Sequence, residues 1–327
     1  MESRERVIAV INHQKPDRVP YYAWLRANLE EPIAEEYGSL AAFEDKYEFD
    51  FSHLFGGPRM YDGSEVWELK EAHGGTVTPD LALDLAVQDA NGQDAYQQIR
   101  DQVDHHKIRR GRFVYVQTPG IFEATNQLFG IENHLAYLLM YPDELHELYR
   151  RRAEWNRQYA MNCIDLGVDM IHVSDDWGAQ RSLMFNPRTW WDMIYPYHKV
   201  TADAVKERGT FLSLHSDGNV NQVVDGIIKL GCDVVHPWQE SAGMSQQDFK
   251  DNYIDQFSIM GGLDVQTMIG FGKIDFLKSE IDRVIGTFKD GGLLYCTSHF
   301  IQDHCTMDEL KIAFDTIYET VRKYAND

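Results

Sequence analysis

Short apolar runs rich in β-branched and aromatic residues alternate with amphipathic stretches along most of the chain, and from Phe113 onward the alternation is regular. Runs at residues 113–117, 169–173, 210–215, 233–236, 256–260 and 292–296 predict strands, and the stretches between and after them predict helices, including 187–208, 220–230, 274–288 and 307–324. The N-terminal part shows the same habit less clearly. Residues 2–13 predict an amphipathic helix, 19–24 a first strand behind Pro16 and Pro20, 29–47 a helix and 49–55 a second strand. At about 60–110 the pattern weakens into polar sequence rich in Asp, Gln and Gly, which predicts an excursion outside the main core. Both flanks of that excursion resume the strand–helix rhythm, so residues 1–327 are expected to form one domain.

Short buried strands alternating with helices imply parallel pairing with right-handed crossovers. The count of eight strands favours an α/β fold of the (β/α)8 TIM barrel type over an open doubly wound sheet. No GxGxxG or GxxxxGK[ST] phosphate loop is present, which weakens a nucleotide-binding alternative.

Composition narrows the function classes. The 327 residues are 43% hydrophobic, enough for a large core, and a net charge of −21 repels nucleic acid. No stretch reaches the ~20 apolar residues of a spanning helix, and the charged N-terminus lacks an apolar leader, so a soluble cytoplasmic protein without a membrane partner is expected. Cys163, Cys232, Cys296 and Cys305 lack CxxC spacing and read as reduced core thiols. A homodimer is compatible with this composition.

In a barrel, polar residues just past the strands meet at one mouth. Here they are Arg26, His53, Gln117, Asp175 with Asp176, His215 with Asp217, Gln239 with Glu240, Asp264 and His299. The segment TFLSLHSDGN is the most telling: His215 and Asp217 alternate onto one side of an extended chain just before a turn at Gly218. That pair suits a metal ion or a reacting group, although Asp217 as a cap for helix 220–230 is an ordinary alternative. Asp175 or Asp176 is expected to cap the helix that begins at Pro187. His236 lies inside its strand and reads as a core histidine bonded to backbone. Trp177 and Trp238 are candidate contacts for a flat substrate, with core packing as the alternative.

The stretches LHSDGNVNQVVDGIIKLGCDVVHPWQE, GGLDVQTM and GGLLYCTSHFIQDHCTMDEL resemble the uroporphyrinogen decarboxylase family. That family includes the tetrapyrrole decarboxylase and zinc-dependent methyltransferases that work with corrinoid proteins, and the resemblance implies the same barrel. The methyltransferases carry His-x-Cys at this strand end and a later cysteine. Here His215 matches, Asp217 replaces the first thiolate and His299 stands at the second. The resemblance thus implies a metal site of His215, Asp217 and His299 holding zinc or another divalent ion. The decarboxylases keep N-terminal arginines and an aspartate after the second strand; Arg26 matches one arginine, but Glu30 and His53 occupy the other positions, so uroporphyrinogen itself is not the expected substrate.

The resulting expectation is a metal-dependent methyltransferase or demethylase component acting on a small molecule, with a corrinoid carried by a separate partner protein. Asp176, Glu240, His215 and His299 are its catalytic candidates, with Asp176 or Glu240 moving the proton. Arg26, His53, Trp177, Trp238 and Gln239 are its substrate contacts. The alternative is a metal-independent lyase that decarboxylates a small carboxylic acid or tetrapyrrole-like substrate, using His215, Asp217 and His299 as acid–base groups.

Overall fold

The computed structural model describes residues 1–325. Seven strands form one sheet in sequence order: β1 (Phe51–Leu54), β2 (Phe113–Pro119), β3 (Met170–Ser174), β4 (Phe211–His215), β5 (Val234–His236), β6 (Ser258–Leu263) and β7 (Leu293–Thr297). Each overlaps a predicted run. The ladders β2–β3, β3–β4, β5–β6 and β6–β7 are parallel, with pairs such as Ser174 opposite His215. Strands β1, β3, β5 and β7 are buried along their whole length, as strands covered on both faces must be.

The expected first strand at 19–24 is not a ladder. It makes an isolated parallel bridge between Tyr21 and Tyr295, with Tyr22 N–H donating to Tyr295 O at 3.0 Å and Tyr295 N–H to Pro20 O at 2.9 Å. On its other side, Asp50 N–H donates to Tyr21 O at 3.1 Å. Pro20 has no N–H with which to extend the ladder backwards.

The structure divides into two compact units of interleaved segments. One holds Met1–His53, His105–Val114 and the chain from Asp233 on; the other holds Leu54–Asp104 and Tyr115–Cys232. In the first, Asp50 is fully buried and binds two arginines: Arg6 Nη1 to Oδ1 at 2.6 Å and Arg18 Nη1 to Oδ2 at 2.6 Å, while Tyr21 N–H donates to Oδ2 at 3.1 Å. This ties the N-terminal helix Ser3–Ile11 and the bridged segment to the start of β1. The expected helix 29–47 is broken in two, Glu30–Tyr37 and Leu40–Lys46, because Gly38 turns left-handed at φ 87° and Ser39 caps the second piece.

The second unit is built on the 24-residue helix Pro142–Asp165. The polar stretch expected to lie outside the core is helical at Gly63–Ala72, Pro79–Ala82 and Gln97–Val103, and much of it packs onto that long helix. Arg151 Nη1 reaches Leu83 O at 2.7 Å, Trp155 Nε1 reaches Gln88 O at 2.9 Å and Asn162 Nδ2 reaches Ala90 O at 2.9 Å. Tyr96 and Ile99 are buried among their polar neighbours, so the composition of this stretch hides its anchoring residues. His134 is also buried here; its Nδ1 donates to Asn126 Oδ1 at 2.7 Å and its Nε2 accepts from Tyr149 OH at 2.6 Å. All four cysteines are buried and free, as expected, and burial raises the Cys163 and Cys305 thiols to about 12. No helix among the described residues is long and apolar enough to cross a membrane.

Two outcomes follow from these anchors. Asp50→Ala leaves Arg6 and Arg18 without their shared carboxylate in the interior, and chemical denaturation should show a loss of about 3–5 kcal/mol. Burial lowers the His134 pKa to about 3, so the unfolded chain binds a proton near its ordinary value of 6.5 that the folded chain refuses. Stability should therefore fall as pH drops below 6.5, by about 2 kcal/mol at pH 5, and a His134→Gln variant should lack that component in parallel urea titrations.

Candidate functional site

Strands β3 and β4 end side by side, and the loops that leave them are held together through four backbone amides, two on backbone carbonyls and two on side-chain oxygens. Asp175 N–H donates to His215 O at 2.9 Å, Trp177 N–H to Ser216 Oγ at 2.9 Å, Asp217 N–H to Asp176 Oδ1 at 2.8 Å and Asn219 N–H to Ala179 O at 2.9 Å. Only glycines permit so close an approach. A Cβ on Gly178 would lie 2.4 Å from Asp217 O, and one on Gly218, whose φ is +79°, would lie 2.6 Å from the Gly178 carbonyl carbon.

The result is a convergence on His215. Its Nε2 lies 3.5 Å from Asp176 Oδ1 and 3.9 Å from Asp217 Oδ1, and one donor atom from each of the three residues falls within 4.8 Å of the others. His215 is buried, while the two carboxylates are about one-third exposed at 33% and 32%, so the group has a dry side and a wet side. One imidazole and two carboxylates carry excess negative charge. That set can hold a divalent cation or pass a proton.

Asp175 supports this group from beneath. It is fully buried, and it accepts from His198 Nε2 at 2.6 Å, Trp177 Nε1 at 2.8 Å, Glu123 N–H at 2.6 Å and Phe122 N–H at 3.2 Å. Burial alone would raise its pKa, but the hydrogen bond and charge of His198, then the Glu123 amide and Trp177, hold it below the ordinary carboxyl range. Asp175 therefore caps the helix Phe122–Phe129 rather than the helix Pro187–Thr189, whose first amides are served by Asn186. Glu123, at the start of the same helix, accepts from Ser174 Oγ at 3.1 Å; burial, then the charges of Asp176 and Asp175, push its carboxyl up to about 7. Sequence reading missed Glu123 and His198. An acidic residue in a first helical turn is ordinary dipole complementation, and nothing local marks a mid-helix histidine as a partner of Asp175.

The other candidates are distributed as follows. Trp177 is not a substrate contact: it is fully buried, bonded to Asp175 and packed edge-on against Trp190 at 5.2 Å. The start of the helix after β4 is served by Asn219, whose Oδ1 accepts from Asn221 N–H at 3.2 Å. The remaining candidates belong to the first unit. There Trp238, Gln239 and Glu240 line a cavity of about 250 Å³ with Asp264, and Glu240 pairs with Arg283 at 2.6 Å. Trp238 donates to Ser245 O at 3.0 Å and packs on Phe249 and Phe257. Arg26 pairs with Asp303 at 3.2 Å, His53 lies 4.5 Å from the Trp24 ring, and His299 lies edge-on to Trp24 at 5.9 Å. His236 stacks on Trp24 and bonds Thr297 O at 3.0 Å, the core role expected of it.

Comparison with known proteins agrees with the sequence motifs. The uroporphyrinogen decarboxylase (URO-D) family profile matches residues 107–320. This chain belongs to the uroporphyrinogen decarboxylase family. Uroporphyrinogen decarboxylases from Synechocystis sp. and Trichodesmium erythraeum are each 24% identical to it, over 178 and 181 residues. The matched segments cover 54% of this chain and 48% of each relative, so the chain spans about half the length of the curated relatives it matches. Among solved structures, a methyltransferase from Methanosarcina mazei superposes with a TM-score of 0.67 at 12% identity, covering 98% of this chain and 99% of its own. The URO-D profile spans Glu123, Asp175, Asp176, His215 and Asp217, so the whole His215 group lies inside the family region.

If the glycine crossing sets this geometry, Gly178→Ala should force the two loops apart and cost about 1–3 kcal/mol. The His215 imidazole resonances, followed by NMR, should then move as the carboxylates draw away from the ring, whereas Gly63→Ala, with open space at its Cβ and no positive φ, should leave them in place.

Proposed function

We propose that this chain is an enzyme of methyl transfer, a methyltransferase or demethylase component acting on a small molecule. The observation that carries the reading is the convergence of Asp176, His215 and Asp217 within 4.8 Å at the ends of β3 and β4. Its seven strands, with the bridged segment at Pro20–Tyr22, are read as the staves of a single (β/α)8 barrel domain. The methyl carrier is a corrinoid on a separate protein.

The donor set fits a divalent cation, zinc or a harder ion, because an imidazole and two carboxylates suit borderline and hard metals alike and leave negative charge to neutralise. Asp176, His215 and Asp217 would hold the ion, with His299 retained as a candidate from the family motif. When bound, the ion supplies Lewis-acid polarisation of a substrate thiol, hydroxyl or ether oxygen. The protein's own groups do the rest. Asp175 fixes the loop that presents Asp176, and Ser216 fixes its return through Trp177 N–H. Glu123, beside Asp176, can take or return the proton exchanged at the substrate oxygen or sulfur, a role in which Glu240 is the other candidate.

A second reading, a metal-independent decarboxylase of a small carboxylic acid, is favoured by the same protonatable Glu123 carboxyl beside an imidazole–carboxylate group. Metal content separates the two. Untagged protein should carry near-stoichiometric metal, Asp217→Ala should weaken its binding by more than about tenfold, and Asp217→Cys should keep zinc while losing affinity for manganese. With methoxy compounds and free cobalamin held as cob(I)alamin by an added reductant, the metal-loaded protein should generate methylcobalamin absorbance and the chelated protein should not. Release of CO2 from a small carboxylic acid by the chelated protein, with no methylcobalamin formed, would instead support the lyase.

A further inference from the structure

The described structure buries four arginines, and three of them are paired with carboxylates. Arg6 binds Asp17 and Asp50, Arg18 binds Asp50, and Arg112 binds Glu44 and Asp45. The fourth, Arg152, is 7% exposed and has neither an ion pair nor a hydrogen bond among the described residues; its Nε is buried without a partner. The Tyr61 ring lies 5.4 Å from its Cζ, and the buried Asp175 carboxylate acts on it through space without an ion pair or a hydrogen bond. A buried guanidinium without an acceptor is costly, and proteins keep such groups where something else completes them.

Arg152 lines a cavity of about 420 Å³ formed wholly within the second unit, in the size range of small-molecule sites at about 300–1,000 Å³. The walls are apolar at Met60, Leu128 and Trp155, with Tyr61 beside the guanidinium. Arg59 lies at the rim, exposed and likewise without an ion pair among the described residues. No aspartate or glutamate lines this cavity, although the chain carries 52 of them against 31 lysines and arginines. Pro119, the last residue of β2, and Ala124, next to Glu123, also border it, so the cavity adjoins the helix that Asp175 caps.

We propose that this cavity is a binding site for a small organic carboxylate, with the carboxylate on Arg152 and the apolar body against Trp155, Leu128 and Met60. A planar guanidinium presents paired N–H donors that match a carboxylate, and the water-poor setting strengthens the pairing. Arg59 at the rim draws the anion in through an otherwise acidic surface. The inference rests on the proposed methyl-transfer reading only in taking this anion to be the substrate of that reaction.

Calorimetric titration with benzoate and its uncharged isostere benzamide tests the site directly, on full-length protein with chelator present. Wild type should bind benzoate at least tenfold more tightly than benzamide. Arg152→Met, which keeps the length and removes the charge, should lose at least tenfold in benzoate affinity and leave benzamide unchanged. Because the variant removes an unpaired buried charge, it should unfold at the same or a higher temperature. Equal binding of the two probes, benzoate affinity unaffected in Arg152→Met, no benzoate binding at millimolar concentration, or a markedly lower unfolding temperature would each overturn the proposal. Since no metal is present in these titrations, failure here leaves the metal-content outcome untouched, and failure of the metal reading leaves these affinities untouched.

Discussion

The second unit depends on the burial of one charge, the Asp175 carboxylate. A carboxylate fully withdrawn from water is tolerable only if its oxygens are saturated, and four donors from three elements converge to do so: the first amides of the helix Phe122–Phe129, the indole of Trp177 and the imidazole of His198 on the helix Tyr195–Glu207. The bond network is therefore a fastening as well as a compensation. It fixes where the β3 loop turns, and so where the adjacent Asp176 side chain must point. It also places a negative charge near Glu123, one of the causes that lift that carboxyl to about 7. Removing Asp175 would not simply delete a bond; it would release a helix start, a loop and an indole together.

Most of the sheet was legible from sequence because buried parallel strands are continuous apolar runs, and those runs sit where β1 to β7 form. The failures have local causes. Pro20 lacks the N–H that would continue the bridge backwards and Trp24 N–H goes forward to Thr297 Oγ1 rather than to a backbone carbonyl, so the apolar run at 19–24 makes a bridge and not a strand. The polar stretch before β2 looked peripheral because its anchors are few: Tyr96 and Ile99 are buried, and backbone carbonyls of Leu83, Gln88 and Ala90 accept from side chains on a helix about 70 residues later. No window of local sequence contains that information.

The site was legible in proportion to how local it is. His215 and Asp217 stand two residues apart before a glycine, a pattern that the sequence displays directly. Asp176 was visible as a strand-end carboxylate, but its pairing with them depends on Gly178 lying against Gly218, a contact between loops 40 residues apart. For Trp177 the core-packing alternative to a flat-substrate contact is the one the structure realises: the indole is fully buried and its N–H serves Asp175. Glu123 and Arg152 were invisible for a different reason. Each is an ordinary helical residue in sequence, and what sets it apart is the environment: a carboxyl pressed against other carboxylates in one case, a guanidinium given no carboxylate in the other.

The two features are opposite in sign and lie within the same unit. Around His215 the chain gathers carboxylates in excess of nearby positive charge, which like-charge repulsion makes unfavourable unless a cation or a proton is taken up. Around Arg152 it leaves a buried cation with no carboxylate in the cavity wall and only the through-space charge of Asp175, which desolvation outweighs unless an anion is taken up. Folding alone rewards neither arrangement, and an overall charge of −21 makes the second harder to arrive at by chance than the first. Helix Phe122–Phe129 borders both, through Glu123 at the carboxylate group and through Ala124 and Leu128 at the arginine cavity. An anionic substrate seated on Arg152 would be oriented by its charge, with its neutral end left to extend along this helix toward the group that does the chemistry. Polarity of that kind would select among small molecules without any contact specific to the reacting atoms.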